Sequence, residues 1–128
     1  MDTSTSQQSG TKTQQFDAEA LRRGIEERDA QTLAALYADD AELHVVDRHD
    51  QPSHPRVIRG RRAIGEYYAD VCGRDMTHRV ERLVADRDGV AFIQACQYPG
   101  GSRVLCVAVL DLRDGLIVRQ SGVQAWDE

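Results

Sequence analysis

RVLCVAVLDLRDGLIVRQSGVQAWDE, residues 103–128, is the stretch on which the reading of the fold turns. Val104 to Leu110 is an apolar run, Arg113-Asp114-Gly115 a turn, and Leu116 to Trp126 a second strand. Asp-Gly between β-rich runs is among the strongest short-range hairpin signals. The apolar run does not alternate with polar residues, so it reads as a strand covered on both faces. One face could meet helices across a pocket, and the other a second subunit.

Upstream, two further strands are expected at 77–86 and 89–98, ahead of the hairpin strands 103–112 and 116–126. Arg87-Asp88-Gly89 and Pro99-Gly100-Gly101-Ser102 supply the connectors. Helical patterns precede them. Asp17 reads as the N-cap of a first helix in which Leu21, Ile25 and Arg28 share a face, with Gly24 marking close packing. Asp29 reads as an interruption and as the cap of a second, short helix that buries Leu33, Leu36 and Tyr37. Asp39-Asp40 ends it, and Glu42 to Val46 reads as a strand. Residues 47–58 form a polar loop broken by Pro52 and Pro55. Gly60 to Cys72 is the clearest helix, with Ile64, Tyr67, Tyr68, Val71 and Cys72 at helical spacing and Gly73 as its stop. Helices first and a strand meander afterwards predict an α+β fold, the helices packed on one face of a curved antiparallel sheet.

Bulk properties narrow the class. The length of 128 residues is that of one domain with a genuine core. Residues 1–15 have no apolar residue after Met1 and predict a disordered tail ahead of a domain over 16–128. A net charge of -5 argues against nucleic acid and anionic membranes as partners. No apolar stretch approaches the roughly 20 residues of a membrane span, and the N-terminus lacks the apolar core of a signal peptide, so a cytoplasmic protein is expected. Cys72, Cys96 and Cys106 lack metal-motif spacing. A four-residue loop would set Cys96 opposite Leu105 and Cys106 opposite Ala95, so the cysteines read as buried small hydrophobes, not a disulfide. His44, His49 and His54 recur beside Asp47 and Asp50, but His44 lies on the other strand face from Asp47, and metal ligands must converge. Arg56, Arg59, Arg61 and Arg62 read as solvated charge, with an anion site at the third helix as the alternative. No metal and no cofactor are expected.

With Leu36-Tyr-Ala-Asp-Asp-Ala-Glu-Leu after the second helix, Gly60-Arg-Arg-Ala-Ile-Gly-Glu-Tyr-Tyr at the third, and Leu112-Arg-Asp-Gly-Leu-Ile-Val at the hairpin, the chain resembles the nuclear transport factor 2-like superfamily. More narrowly, it resembles the branch holding ketosteroid isomerases and SnoaL-like polyketide cyclases. The resemblance covers residues 16–126 and implies a cystatin-like roll: a bent sheet wrapped as a cone around three helices, with a deep apolar pocket. One scaffold carries different chemistries there, so function rests on the site. The positions at which ketosteroid isomerases hold a general-base Asp, an oxyanion Tyr and a protonated Asp fall on Val45, Leu21 and near Ala108. All are apolar, and the acid–base logic of that enzyme needs ionisable groups. The cyclase His and Asp positions fall on Ala108 and Gly122. Asp111 and Arg113 have the residue types of the epoxide-hydrolase relatives, but in the wrong order and expected to face outward.

Side-chain alternation anchored on those positions assigns the pocket. Leu21 and Ile25 come from the first helix, and Leu43, Val45 and Asp47 from the first strand. Tyr68 takes the position where relatives point an aromatic hydroxyl inward. Phe92, Gln94, Cys96, Cys106, Ala108, Leu110, Gln120, Gly122 and Gln124 complete the set. Ile93, Leu105, Val107, Val109 and Val123 face outward, predicting a homodimer through that apolar surface. The function expected is binding of a small, largely apolar molecule, with Tyr68 and the glutamines polarising a carbonyl if catalysis occurs. Two alternatives are a lyase, isomerase or cyclase with Asp47 or His78 as base, and a protein-interaction module.

Overall fold

The computed structural model describes residues 15–127. The expected tail therefore lies outside the described residues except for Gln15. Helix α1, Ala18–Glu26, starts where expected: the Asp17 carboxylate accepts the Ala20 N–H at 2.9 Å, satisfying a donor that the first turn would otherwise leave unpaired. Its buried face is Ala20, Leu21, Gly24 and Ile25. A Cβ at Gly24 would stand 2.9 Å from the Leu33 side chain, so the missing side chain is what lets α1 meet α2. Arg28 lies beyond the helix, at φ 56, and reverses the chain. Asp29 caps α2, Ala30–Ala34, by accepting from the Thr32 N–H and hydroxyl.

Two expectations are corrected beyond this point. The second helix stops at Ala34, and strand β1 runs Tyr37–Val46, so Leu36 and Tyr37 are buried at the strand's start and not on a helix. Sheet pairing decides this: Ile117 N–H donates to the Leu36 carbonyl, and Tyr37 pairs with Ile117. The 47–58 loop ends in a strand of its own, β2 Arg56–Arg59, which pairs antiparallel with β1 and buries Ile58 against the core. Both loop prolines precede it, where no ladder N–H is needed. Gly60, at φ 90, then turns the chain into α3, Arg61–Cys72, which Gly73 caps.

The remaining strands are β3 Thr77–Ala85, β4 Gly89–Gln97, β5 Arg103–Arg113 and β6 Leu116–Trp126. All six form one curved, unclosed sheet in the order β2-β1-β6-β5-β4-β3. Pairing is antiparallel except between β1 and β6, which run parallel with Val45 beside Gly122. Asp114 and Gly115, at φ 54 and 78, form the two-residue hairpin turn whose twist matches its strands. At the β4–β5 end, Tyr98 N–H bonds to the Ser102 carbonyl, closing the turn around three residues where the sequence implies four. Cys96 therefore lies opposite Val104, and Cys106 opposite Gln94, with both thiols on one face. All three cysteines are free. The core joins Leu21, Leu33, Tyr37, Leu43, Ile64, Leu110 and Ile117, all essentially inaccessible, between the helices and the concave sheet face.

Candidate functional site

Between α3 and the concave face lies a cavity of about 540 Å³. Its walls include Ile25, Val45 and Phe92, the glutamines 94, 120 and 124, Cys96, Cys106, Ala108 and Gly122, as alternation predicts. Ala108 and Gly122 face each other across β5 and β6, next to Phe92 on β4, and their small size leaves space where larger side chains would fill the cone. Asp47, Tyr68 and His78, the three candidates for chemistry, also line it. Leu21 and Leu110 do not. They are 1% and 0% exposed and belong to the packed core beneath, because α1 and α2 close over that end of the sheet.

Two hydrogen bonds link three side chains, Tyr68, Tyr37 and Gln120, at the deep end. Tyr37 donates to Gln120 Oε1, and the Tyr37 and Tyr68 hydroxyls lie 2.6 Å apart. Because Tyr37's single proton goes to Gln120, Tyr68 is the donor between the two hydroxyls. Gln120 beside it also acts to lower the Tyr68 hydroxyl's pKa, against the larger effect of burial. Burial holds both phenols well above their usual range. Tyr68 is therefore committed to its neighbours and is not a free donor for a ligand carbonyl. The sequence reading missed Tyr37 because it placed that residue on the second helix.

The mouth is built of aromatic rings and guanidinium groups. Tyr98 stacks on Trp126 with centroids 5.9 Å apart, and the Arg48 guanidinium lies 4.2 Å above the Trp126 ring. Arg56 lies over Tyr67 at 5.4 Å. Arg74 bridges Asp70 and the Tyr98 hydroxyl at 2.7 and 3.1 Å. Trp126 donates to Gln124 Oε1 at 3.1 Å. Asp47 accepts the backbone N–H groups of His49 and Asp50 with one oxygen, so it organises the loop as well as facing the cavity. The remaining arginines of the cluster are paired locally: Arg59 with Glu42, Arg61 with Asp39 and the Tyr37 carbonyl, and Arg62 with Glu66. His44 meets Glu42 at 3.0 Å, away from His49 and His54. Asp111 and Arg113 are exposed, and Arg113 lies 3.6 Å from Asp40.

His78, a candidate base whose side-chain direction the sequence leaves open, turns into the wall. Its Nδ1 lies 3.1 Å from Cys96 Sγ, and its Nε2 is buried without a hydrogen-bond partner among the described residues. A register shift between Val80 and Arg82 is responsible. Without that bulge His78 would fall opposite an outward residue; with it, His78 pairs with Cys96 and turns inward. The expectation that the cysteines act only as small hydrophobes is thus corrected for Cys96. Its thiol contacts His78 and, at 3.4 Å, Gln94 Oε1.

A fold and cavity of this kind define an NTF2-like α+β roll. A family model for the SnoaL-like domain matches residues 18–120, and the chain belongs to that family. Among solved structures it is similar to an NTF2-like protein of unknown function from Mesorhizobium loti, at 19% identity over 84% of this chain and 89% of that one, with a TM-score of 0.73. It is similar to a provisionally assigned ketosteroid isomerase from Kribbella flavida DSM 17836, at 24% identity over 87% and 75% of the two chains, TM-score 0.70. A loop-truncation variant of IdmH matches at 22% identity over 84% and 91%, TM-score 0.63. No functionally curated protein matches the sequence.

The buried phenols give this site a pH signature. Tyr37 and Tyr68 keep their protons in the folded state above pH 10, where an unfolded tyrosine loses its own. The unfolded state then binds fewer protons, so stability is intact below about pH 10 and falls above it. Denaturant titrations are expected to lose about 1.4 kcal/mol per pH unit for each of the two tyrosines. Tyr68→Phe should reduce that slope; an unchanged slope would contradict the burial of that phenol.

Proposed function

We propose that this protein binds a small, largely apolar molecule in the cavity and does not work as an acid–base isomerase or cyclase of the kinds its relatives represent. The commitment of Tyr37, Tyr68 and Gln120 to one another is the observation that carries this reading. It leaves a wall dominated by Val45, Phe92, Ala108 and Gly122, with few free polar groups, in a volume suited to a small ligand. Val45, Ala108 and Gly122 also occupy the positions at which those relatives keep ionisable groups. Guanidinium groups at the mouth favour a ligand whose hydrogen-bonding oxygen points outward, toward Arg48, Arg56 and Arg74.

An anilinonaphthalene sulfonate dye tests the reading. The expected result is saturable binding of one dye per chain, quenching Trp126, the only tryptophan. Ala108→Phe, which fills the cavity, should weaken binding at least tenfold while leaving the circular dichroism unchanged. Equal binding by the two proteins would sink the proposal. The rival reading is an enzyme with Asp47 as base, supported by that carboxylate's place on the cavity wall. Asp47→Asn keeps the loop-capping oxygen and removes the charge, so it should leave dye binding intact.

The proposal extends to a homodimer through the convex sheet face. Leu105, Val107, Val109 and Val123 are 44–55% exposed there, beside half-buried Ile93, and water is a poor neighbour for so continuous an apolar surface. Sedimentation is expected to give a dimer at micromolar concentration and a monomer after Val107→Glu. A wild-type monomer at that concentration would contradict it.

A further inference from the structure

His78, Cys96 and Cys106 come together from three different strands on the cavity wall, and the binding function proposed above makes no use of them. Cys96 is 5% exposed, with His78 Nδ1 at 3.1 Å. Cys106 sits diagonally across the β4·β5 ladder, on the same face as Cys96. Cys96 Sγ is thus the one sulfur of the three with an imidazole nitrogen against it, placed to take its proton. The Cys106 thiol first, and then the His78 ring, draw the Cys96 thiol down to about 5 against the opposing effect of burial, while Cys96 beside it and burial push the Cys106 thiol up. Other ionisable groups lining the same space are Tyr67, Tyr68, Tyr98, Cys72, Arg48, Arg56 and Arg74, with Asp47, His49 and Asp50 on the loop at the mouth. The buried, unpartnered His78 Nε2 is a polar atom for which a ligand oxygen would be a partner.

We propose that Cys96 is the nucleophile of a covalent capture site for α,β-unsaturated carbonyl compounds that enter the cavity. This rests on the cavity being a ligand site. The S–H proton moves to His78 Nδ1, leaving a thiolate. The sulfur adds to the β-carbon: a C–S bond forms, the C=C π bond breaks, and its electron pair moves onto the carbonyl oxygen as an enolate. The α-carbon then takes the proton back from His78, so the sum is addition of S–H across the double bond with no oxidant or reductant. The thiolate is a soft nucleophile suited to such a carbon, and the apolar wall suits a conjugated body. Among the described residues, the Gln94 NH₂ next to Cys96 has no acceptor and is available to the carbonyl.

N-ethylmaleimide, itself an unsaturated dicarbonyl, tests this on the full chain, with the adduct mapped by peptide mass. Cys96 should react first, at a rate nearly flat from pH 6 to 8. At pH 6 it should exceed Cys72, a thiol on the same cavity raised by burial, by about tenfold or more, after allowing for the lower nucleophilicity of a low-pKa sulfur. His78→Gln should steepen the profile toward the ordinary rise of about tenfold per pH unit, with Cys106 still beside the sulfur. A wild-type Cys96 that already shows that rise, or labelling led by Cys72 or Cys106, overturns the proposal. If His78→Gln fails to fold, the wild-type profile decides alone. Dye binding separates the two levels. A dye-binding protein whose Cys96 stays unlabelled has a cavity without a covalent site, whereas a protein that neither binds dye nor labels loses both readings.

Discussion

The register of the β5·β6 hairpin is the constraint on which the rest depends. Asp114 and Gly115 take left-handed conformations that fix a two-residue turn and place Arg113 opposite Leu116. Beyond a single bulge at Asp111–Leu112, that pairing sets Leu110 against Gln120, Ala108 against Gly122 and Cys106 against Gln124. Strand side chains alternate with a period of two, so a slip by one residue would turn the whole cavity wall outward and the valines of the convex face inward. Each further strand inherits its inside and outside from this pair: β4 through Phe92 beside Ala108, and β1 through Val45 beside Gly122. The cavity is therefore a consequence of parity together with two small residues at the centre of the wall.

Polar groups divide between its two ends. At the deep end, the Tyr68–Tyr37–Gln120 chain pairs its polar groups with one another. At the mouth, Arg48, Arg56 and Arg74 lie over or beside aromatic rings, an arrangement that keeps guanidinium groups solvated while their planes pack. The cavity thus pairs an apolar floor with a cationic, aromatic rim, with Val45, Ala108 and Gly122 on its wall. The three free thiols all lie on this cavity, and only Cys96 has an imidazole against it.

The parts of the fold legible in the sequence were those governed by local chemistry. Asp17 and Asp29 advertise helix caps, Asp-Gly advertises the hairpin, and the spacing of Ile64, Tyr67, Tyr68 and Val71 advertises α3. The even-numbered inward sets on β4, β5 and β6 followed from alternation anchored on positions carried over from the family resemblance. What failed to show was set by non-local pairing or by bulges. Tyr37 joins a strand only because Ile117 captures the Leu36 carbonyl. The short strand β2 exists because β1 offers it an edge. His78 faces inward only because one residue is inserted near Glu81, and no local pattern in Thr77–Ala85 marks that insertion. Leu21 and Leu110 show the converse limit: parity placed them on the correct face, but depth along the cone decided that they pack in the core and do not line the cavity.

Native mass spectrometry of the protein purified from its own host, followed by denaturation, tests the central claim that this cavity holds a small molecule. The account predicts a native mass above a whole multiple of the chain mass, with the excess appearing as a free organic compound, or as an adduct on the Cys96 peptide, once the chain unfolds. Native masses equal to whole multiples of the bare chain, both as purified and after incubation with dye, would contradict it.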